Sequence, residues 1–211
     1  HLTNLIEYAV EYFKNLKAKY GKERERKTEI RTFDTIDATK VAVANTRFYV
    51  DRVEGFIGTS LKKDEFVFEC SDIDDIIVFR QDGSMLVTKV DVKTFVGKGI
   101  IHIDVWRKND KRTIYNLVYR DGKNGPAYQK RFAVTGITRD KEYDLTNENK
   151  GSEILYFSAN PNGEAEVVSV ILKTHQRLKK LKFDLDFAEL AVKGRSSKGN
   201  LVTKYPIKKI E

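Results

Sequence analysis

The stretch DIIVFRQDGSMLVTKV, which runs from Asp75 to Val90, has the pattern of a β-hairpin. Two runs rich in apolar and β-branched residues flank a short polar turn. Asp82 and Gly83 in that turn are a strong hairpin signal, because a type I′ turn requires positive φ at both central positions. The sequence therefore predicts two antiparallel strands joined near Gly83.

Four other stretches share this strand–turn–strand pattern: KVAVANTRFYVDRV, IYNLVYRDGKNGPAYQKRFAV, EILYFSANPNGEAEVVSVIL and ELAVKGRSSKGNLVTKYPI. The five stretches begin at residues 40, 75, 114, 153 and 189, so successive starts lie 35, 39, 39 and 36 residues apart. A near-constant period of this length indicates a repeat architecture, and strand repeats of roughly 40 residues fit propeller blades. We therefore predict a mainly β, propeller-like fold of hairpin blades, about four to five of them. A β-sandwich with evenly spaced strands is the alternative.

The first part of the chain has a different pattern. Apolar residues recur at helical spacing over residues 2–20, and Gly21 is well placed to end a helix. The charged stretch that follows is typical of a linker. We predict a helix and linker over residues 1–36 and a β domain over residues 37–211. Because the fifth strand–turn–strand unit looks incomplete, we expect that domain to continue beyond Glu211.

The charge of the chain favours an anionic partner. Lys and Arg total 39 against 31 acids, which gives a net charge of +8 and a pI of about 9.3. The charges are segregated, with five bases and no acid in Lys173–Lys182 and six acids and no base in Asp64–Asp75. This pattern is typical of nucleic-acid binding, although lysines that serve solubility are the alternative. No apolar run approaches the roughly 20 residues of a membrane span, and a single Cys70 excludes an intrachain disulfide, so a reducing cytoplasm is the expected compartment.

No catalytic or metal-binding motif is present in the sequence. The three histidines, His1, His102 and His175, fall in no zinc-binding spacing, and no phosphate-binding loop or nucleophile elbow is present. The acidic run Ser71–Asp75 lacks the Gly and the distal Glu of an EF-hand loop, so a solvated or capping turn is the favoured interpretation. We predict no catalytic residue and no metal site in this chain.

Basic residues recur at or beside the turns and on the second strands. If the repeats are blades of a ring, equivalent positions trace one circumference, and a belt of Lys and Arg makes phosphate contacts without reading bases. Gly and Ser in the turn over residues 193–199 also let backbone N–H groups approach phosphates. Such a belt bends duplex DNA when added contacts offset the bending cost. The predicted DNA-binding residues are Arg80, Arg120, Lys123, Lys130, Arg131, Lys193, Arg195, Lys198 and Lys204.

Three stretches resemble a known family. KAKYGKERERKTEI (Lys17–Ile30) resembles the end of the breakage-reunion core of bacterial type IIA topoisomerases, which lies in their A chains. TRFYVDRVEGFIGTSLKKDEFVFECSDIDDIIVFRQDG resembles the opening blades of the C-terminal β-pinwheel that follows this core, and LAVKGRSSKGNLVTKYPIKKI resembles a later blade. The resemblance covers essentially the whole chain, and it is strongest to the DNA-cleaving chain of topoisomerase IV, with that of gyrase as the near relative.

The resemblance implies a pinwheel that holds a duplex for strand passage by the whole enzyme. The family uses Mg²⁺ and ATP, but its catalytic tyrosine, neighbouring arginine and metal-binding carboxylates have no counterpart here, so no cofactor is expected in this chain. The implied partners are duplex DNA and the ATPase B chain in an A2B2 assembly, with no membrane. The gyrase box QRRGGKG is replaced by KGRSSKG (Lys193–Gly199), which favours decatenation or relaxation over supercoiling. A gyrase-like wrapping domain and a propeller that binds proteins are the alternatives.

Overall fold

A computed structural model of the chain describes residues 4–22, 44–174 and 178–211. Its contacts divide the chain into one unit over residues 1–41 and another over residues 42–211. In the first unit, helix α1 spans Leu5–Tyr20 and ends at Gly21, whose N–H donates to the Lys17 carbonyl at 2.8 Å. The predicted helix is therefore confirmed. The predicted linker after residue 22 and the quoted stretch that overlaps it lie largely outside the described residues.

No helix in the described ranges has the length and apolar character that a bilayer crossing requires. Most apolar side chains of α1 are exposed, as for Ile6 at 80% and Phe13 at 66%. The amphipathic pattern of this segment therefore forms the expected helix, while its apolar stripe contacts no core within the described part of its own unit.

The second unit is built almost entirely from strands. Runs of β-branched and aromatic residues form them, and glycines with positive φ lie in many of the turns between them. In chain order the strands are β1 (Thr46–Asp51), β2 (Phe56–Gly58), β3 (Glu65–Cys70), β4 (Asp75–Arg80), β5 (Ser84–Lys89), β6 (Thr94–Phe95), β7 (Ile100–Trp106), β8 (Ile114–Arg120), β9 (Ala127–Ala133), β10 (Tyr143–Asp144), β11 (Glu153–Asn160), β12 (Val167–Leu172), β13 (Lys182–Asp186), β14 (Val192–Gly194), β15 (Asn200–Thr203) and β16 (Ile207–Ile210).

In the described residues the strands form four sheets, and the first three share one arrangement. Their orders are β3-β1-β2-β6 in sheet 1, β10-β5-β4-β7 in sheet 2, β11-β8-β9-β14 in sheet 3, where β15 also pairs with β9, and β13-β12-β16 in sheet 4. In sheets 1 to 3 a hairpin occupies the middle, and the next long strand pairs with the hairpin's first strand. The hairpin's second strand pairs with a strand that follows the next sheet's hairpin in the chain. Neighbouring repeats are therefore interlocked by exchanged strands.

The prediction of a mainly β fold of hairpin-built sheets after an N-terminal helix is confirmed. The hairpin that decided it is present, since β4 pairs with β5 in a register that places Val78 opposite Leu86. Gly83 has φ of 89° in the turn, and a Cβ there would lie 2.4 Å from the Thr146 side chain. The strand pair β8–β9 is the predicted hairpin of sheet 3. The hairpin of sheet 1 is β1–β2, whose second strand lies beyond the stretch KVAVANTRFYVDRV, and the beginning of that stretch lies outside the described residues.

Two of the five predicted hairpins are wrong. The turn at Asn162 and Gly163 exists, but β11 before it pairs with β8 and β12 after it pairs with β13. In the last unit, β14 and β15 both pair with β9 rather than with each other. The physical reason is the same in both cases. A turn signal sets the local direction of the chain, whereas the partner of a strand is set by whichever sheet edge is open beside it.

The core explains why the hairpin strands are apolar on both faces. Ile76 and Val78 of β4 pack with residues of sheet 1, whereas Ile77 and Phe79 of the same strand pack with residues of sheet 3. Sheets 3 and 4 share a third cluster that includes Val118 of β8. Each sheet is thus packed against the next in chain order. Because side chains alternate between faces, a strand buried on both faces requires a nearly continuous apolar run.

A polar network also joins sheets 3 and 4. The Glu166 carboxylate, just before β12, accepts hydrogen bonds from the Asn116 amide at 2.8 Å, from the Tyr156 hydroxyl at 2.9 Å and from Ser158. Burial raises the pKa of Glu166, but the hydrogen bonds from Ser158, Tyr156 and Asn116 outweigh it, so the net pKa is lowered. The ionised carboxylate is therefore the form that fits this site and ties the two sheets together.

Candidate nucleic-acid interface

The stretch Gly194–Gly199, the basic loop, lies at the edge of β9. Strand β14 runs parallel to the end of β9, with Val192 opposite Arg131. Strand β15 then runs antiparallel along its beginning, with Asn200 opposite Gln129. The chain must reverse between these two strands, so the basic loop is the connection that bulges from the sheet edge.

The backbone of the basic loop is held from inside. The Lys130 ammonium donates to the carbonyls of Arg195 at 2.6 Å and Ser197 at 3.0 Å. The Tyr119 hydroxyl donates to the Lys198 carbonyl at 2.7 Å. The N–H of Ser197 closes a turn onto the Gly194 carbonyl at 3.0 Å. The loop is therefore an ordered structure and not a loose excursion of the chain.

Glycine is required where the basic loop rejoins the sheet. Gly199 has φ of 89°, a conformation that residues with a side chain rarely adopt. A Cβ at this position would lie 2.4 Å from the Gln129 carbonyl oxygen and 3.0 Å from the Lys130 Cβ. The close approach of the loop to β9 thus depends on the missing side chain.

The cations of the basic loop and of β14 keep their charge unneutralised. The Arg195 guanidinium donates to the Gly136 carbonyl at 2.6 Å and lies 4.2 Å from the Tyr143 ring centre. The Lys198 ammonium lies 4.7 Å from the ring centre of Tyr128, and Lys193 is exposed. Among the residues that the structure describes, no carboxylate lies within 4.0 Å of these three cations. Aromatic rings support two of the cations without cancelling their charge.

Two further lysines lie at the other end of β9. Lys123 is exposed in the β8–β9 turn, and Lys204 is exposed directly after Thr203, which pairs with Ala127. Together the five cations follow the seven residues of β9, a length of roughly 20 Å. We call this set the β9 edge surface; it consists of Lys123, Lys193, Arg195, Lys198 and Lys204.

Two predicted arginines lie elsewhere and are paired. Arg80, at the end of β4, forms an ion pair with Glu142, and its side chain is only 11% exposed. Arg120, at the end of β8, donates to the Glu153 carboxylate at 2.8 Å and to the Gly122 carbonyl at 3.1 Å. Because their charges are met by glutamates, these arginines contribute less to an anion-attracting surface than their positions in the sequence indicate.

The remaining two predicted residues are also engaged within the fold. Arg131 donates to the Asn116 amide oxygen at 3.2 Å and to the Glu164 carbonyl at 3.1 Å. Lys130 was expected on a surface belt, but it is only 3% exposed. Its side chain turns inward because two loop carbonyls accept from its ammonium. The structure therefore brings five of the nine predicted residues together on the β9 edge surface and gives the other four internal partners.

One cation beside this surface escaped the sequence reasoning. The Lys141 ammonium lies 5.4 Å from the ring centre of Tyr143, the ring that also carries Arg195. Lys141 precedes Tyr143 by two residues, and alternate residues of an extended segment share a face. That spacing was the available signal. In the described ranges, no three His, Cys, Asp or Glu side chains are grouped as metal ligands would be.

Comparisons with known proteins indicate one family. A family model described as "Topoisomerase C-terminal domain, Bacteroidota" matches residues 47–211. The DNA topoisomerase 4 A chain of Borreliella burgdorferi is 31% identical over 212 residues, which cover 100% of this chain and 32% of that protein. The chain thus spans about a third of that relative's length. A crystal structure of the C-terminal domain of DNA topoisomerase IV aligns with a TM-score of 0.46 and 10% identity, over 83% of this chain and 63% of that one.

Proposed function

The chain belongs to the bacterial topoisomerase C-terminal domain family, and we propose that it binds duplex DNA along the β9 edge surface without reading the base sequence. The observation that carries the proposal is the set of five cations along one strand, none of which has a carboxylate within 4.0 Å among the described residues. Basic side chains that meet phosphates release counterions from the duplex, which supplies affinity that does not depend on sequence.

We further propose that the bound duplex is bent. Sheet 4 packs against sheet 3 through the cluster that contains Val118. Lys179 and Lys180 are exposed just before β13, in the connection that corresponds to the β8–β9 turn of Lys123. Cations at equivalent ends of two neighbouring sheets extend the contact beyond one strand. A duplex that touches both groups must follow the change of direction between the sheets, and the added contacts offset the bending cost.

In the whole protein, we propose that this domain presents a duplex for ATP-dependent strand passage, in decatenation or relaxation. The relative that supports this role is the A chain of a topoisomerase 4. Mg²⁺, ATP, the ATPase B chain and an A2B2 assembly belong to the proposed parent enzyme in a bacterial cytoplasm. In this proposal the chain binds and bends the duplex, and other parts of that enzyme cleave DNA.

Duplex binding measured over a salt series tests the first part of the proposal. Five phosphate contacts predict a plot of log K against log salt with a slope between about −4 and −5. Fluorescence anisotropy with labelled duplexes of unrelated sequence should give the same slope and similar affinities, and affinity should rise with duplex length. Energy transfer between dyes on the two ends of a duplex of about 30 base pairs should rise on binding. A slope near zero, or one preferred sequence, would argue against the proposal.

A further inference from the structure

Lys130 has an unusual position for a lysine in a basic surface. Its side chain is almost fully buried on β9, and its ammonium lies 5.0 Å from the Phe132 ring centre. The ammonium points under the basic loop, where it meets the carbonyls of Arg195 and Ser197. A buried lysine without hydrogen bonds is costly, so these two bonds are what the burial requires.

Four of the six carbonyl groups of the basic loop are used internally. Those of Gly194, Arg195, Ser197 and Lys198 accept from the Ser197 N–H, from Lys130 twice and from the Tyr119 hydroxyl. A carbonyl oxygen repels an approaching phosphate, whereas an N–H or a cation attracts it. A loop whose carbonyls are held inside therefore presents an outer side suited to an anion.

We propose that Lys130 is a positioning residue that fixes the basic loop, so that Arg195 and Lys198 are presented to a phosphate while Lys130 itself does not touch DNA. Two donors, Lys130 and Tyr119, bind three carbonyls of the basic loop. Gly199 lets the loop backbone approach β9 closely. The ordering of the loop stands on these contacts alone. Only the consequence for DNA rests on the proposed function.

We call the hydrogen bonds from Lys130 and Tyr119 to the carbonyls of the basic loop the clamp. The clamp should depend on pH. Burial is the main cause that lowers the pKa of Lys130 to about 8, and the charge of Asp144 on β10 opposes it. The other charged or titratable groups around Lys130 are Arg195 and Lys198 of the loop and Tyr119, whose pKa burial raises. Arg131, Glu189 and Lys193 also line a shallow pocket with Lys130. Opening the loop exposes the ammonium to water and returns its pKa toward the ordinary value, so the open loop binds the proton more readily than the closed loop.

The effect of Lys130 on global stability has the same sign. In the unfolded chain a lysine keeps its ordinary pKa of 10.5, so between pH 8 and 10.5 the unfolded state binds the extra proton. Stability rises with pH wherever the unfolded state binds more protons. As pH rises past 8, the contribution of Lys130 therefore stabilises both the whole domain and the closed loop.

Limited trypsin digestion of the 211-residue chain, without DNA, tests the clamp. The readout is cleavage after Arg195 and Lys198, divided by cleavage after Lys62 and Lys63 in the β2–β3 turn of the same molecule. Lys130→Met should raise this ratio by about tenfold, and Tyr119→Phe should raise it by a smaller factor. In the natural chain the ratio should fall from pH 7 to 9, whereas in Lys130→Met it should stay flat.

A ratio that is unchanged in both variants, or a natural chain whose ratio ignores pH, would overturn the clamp. If Lys130→Met does not fold, Tyr119→Phe and the pH series of the natural chain still decide the matter. Tyr119→Phe removes only a hydroxyl, so its ring keeps the packing against Tyr128.

Duplex-binding measurements on the variants distinguish a residue that positions the loop from one that contacts DNA. Lys130→Met should weaken duplex binding with little change in the salt slope, because the loop cations remain and only their order is lost. Lys198→Met should reduce the steepness of the slope by about 0.9. A slope change of that size in Lys130→Met would make Lys130 a contact and refute the inference. If the natural chain binds no DNA while the digestion result holds, the proposed function fails and the clamp stands.

Discussion

Replacing Lys193, Arg195 and Lys198 together by glutamine should weaken duplex binding by about a hundredfold or more at 0.1 M salt and flatten the salt slope by roughly 2 to 3. These cations form the centre of the β9 edge surface, and each phosphate contact that is lost leaves about 0.9 of a counterion on the DNA. Anisotropy titrations at several salt concentrations measure both quantities. Far-ultraviolet circular dichroism checks that the triple variant stays folded.

The matched control removes the same charge elsewhere. The control positions are Lys62, Lys63 and Lys93, which are exposed in connections next to strands of sheet 1. Sheet 2 lies between sheet 1 and sheet 3. Replacing the three control lysines by glutamine gives the same net charge as the first variant. We expect the control to bind within about threefold of the natural chain, since only long-range attraction is reduced. Equal losses in the two variants would mean that net charge, and not the β9 edge surface, drives binding.

Phe79→Ala should lower the free energy of unfolding of the β unit by about 3 to 5 kcal/mol. Phe79 is fully buried between sheets 2 and 3, with ring centres of Tyr115 and Phe157 each 4.7 Å away. Removing the ring leaves a cavity at the seam between two sheets and also breaks two aromatic contacts. Urea titration followed by circular dichroism gives the difference directly.

Phe95→Ala is the control for that experiment. Phe95 on β6 is 61% exposed, and its ring centre lies 5.2 Å from that of Phe56. We expect a loss of less than about 1 kcal/mol, because little apolar area is withdrawn from water at this position. Similar losses in the two variants would contradict the packing of sheet 2 on sheet 3 through β4.

Local signals predicted the hairpins β4–β5 and β8–β9 but not the exchange of strands between repeats. The turn with Gly83 and the apolar runs of β4 and β5 lie close in sequence, so their pairing follows from the residues alone. The pairing of Tyr143 with Met85 joins strands that are far apart in the chain. A two-residue strand such as β10 carries no periodic pattern, and its partner is fixed only when the sheets pack.

The basic loop was predictable because its charges and glycines are adjacent in the sequence. The pairing of Arg80 with Glu142 was not, since the acid lies one repeat away and arrives beside β4 only through the exchanged strand β10. The burial of the Lys130 side chain could not be predicted from the sequence for a different reason. Alternation along a strand places a residue on a face, but β14 and the basic loop cover that part of β9 only in the folded structure.

Lysine footprinting tests the central claim most directly, because it reports which surface a bound duplex covers. The chain is acetylated with and without excess duplex, and each lysine is quantified by mass spectrometry. DNA should protect Lys123, Lys193, Lys198 and Lys204, while Lys62 and Lys63 stay reactive and Lys130 reacts in neither state. Protection of Lys62 and Lys63, with Lys193 and Lys198 still fully reactive in the complex, would contradict a DNA-binding surface along β9.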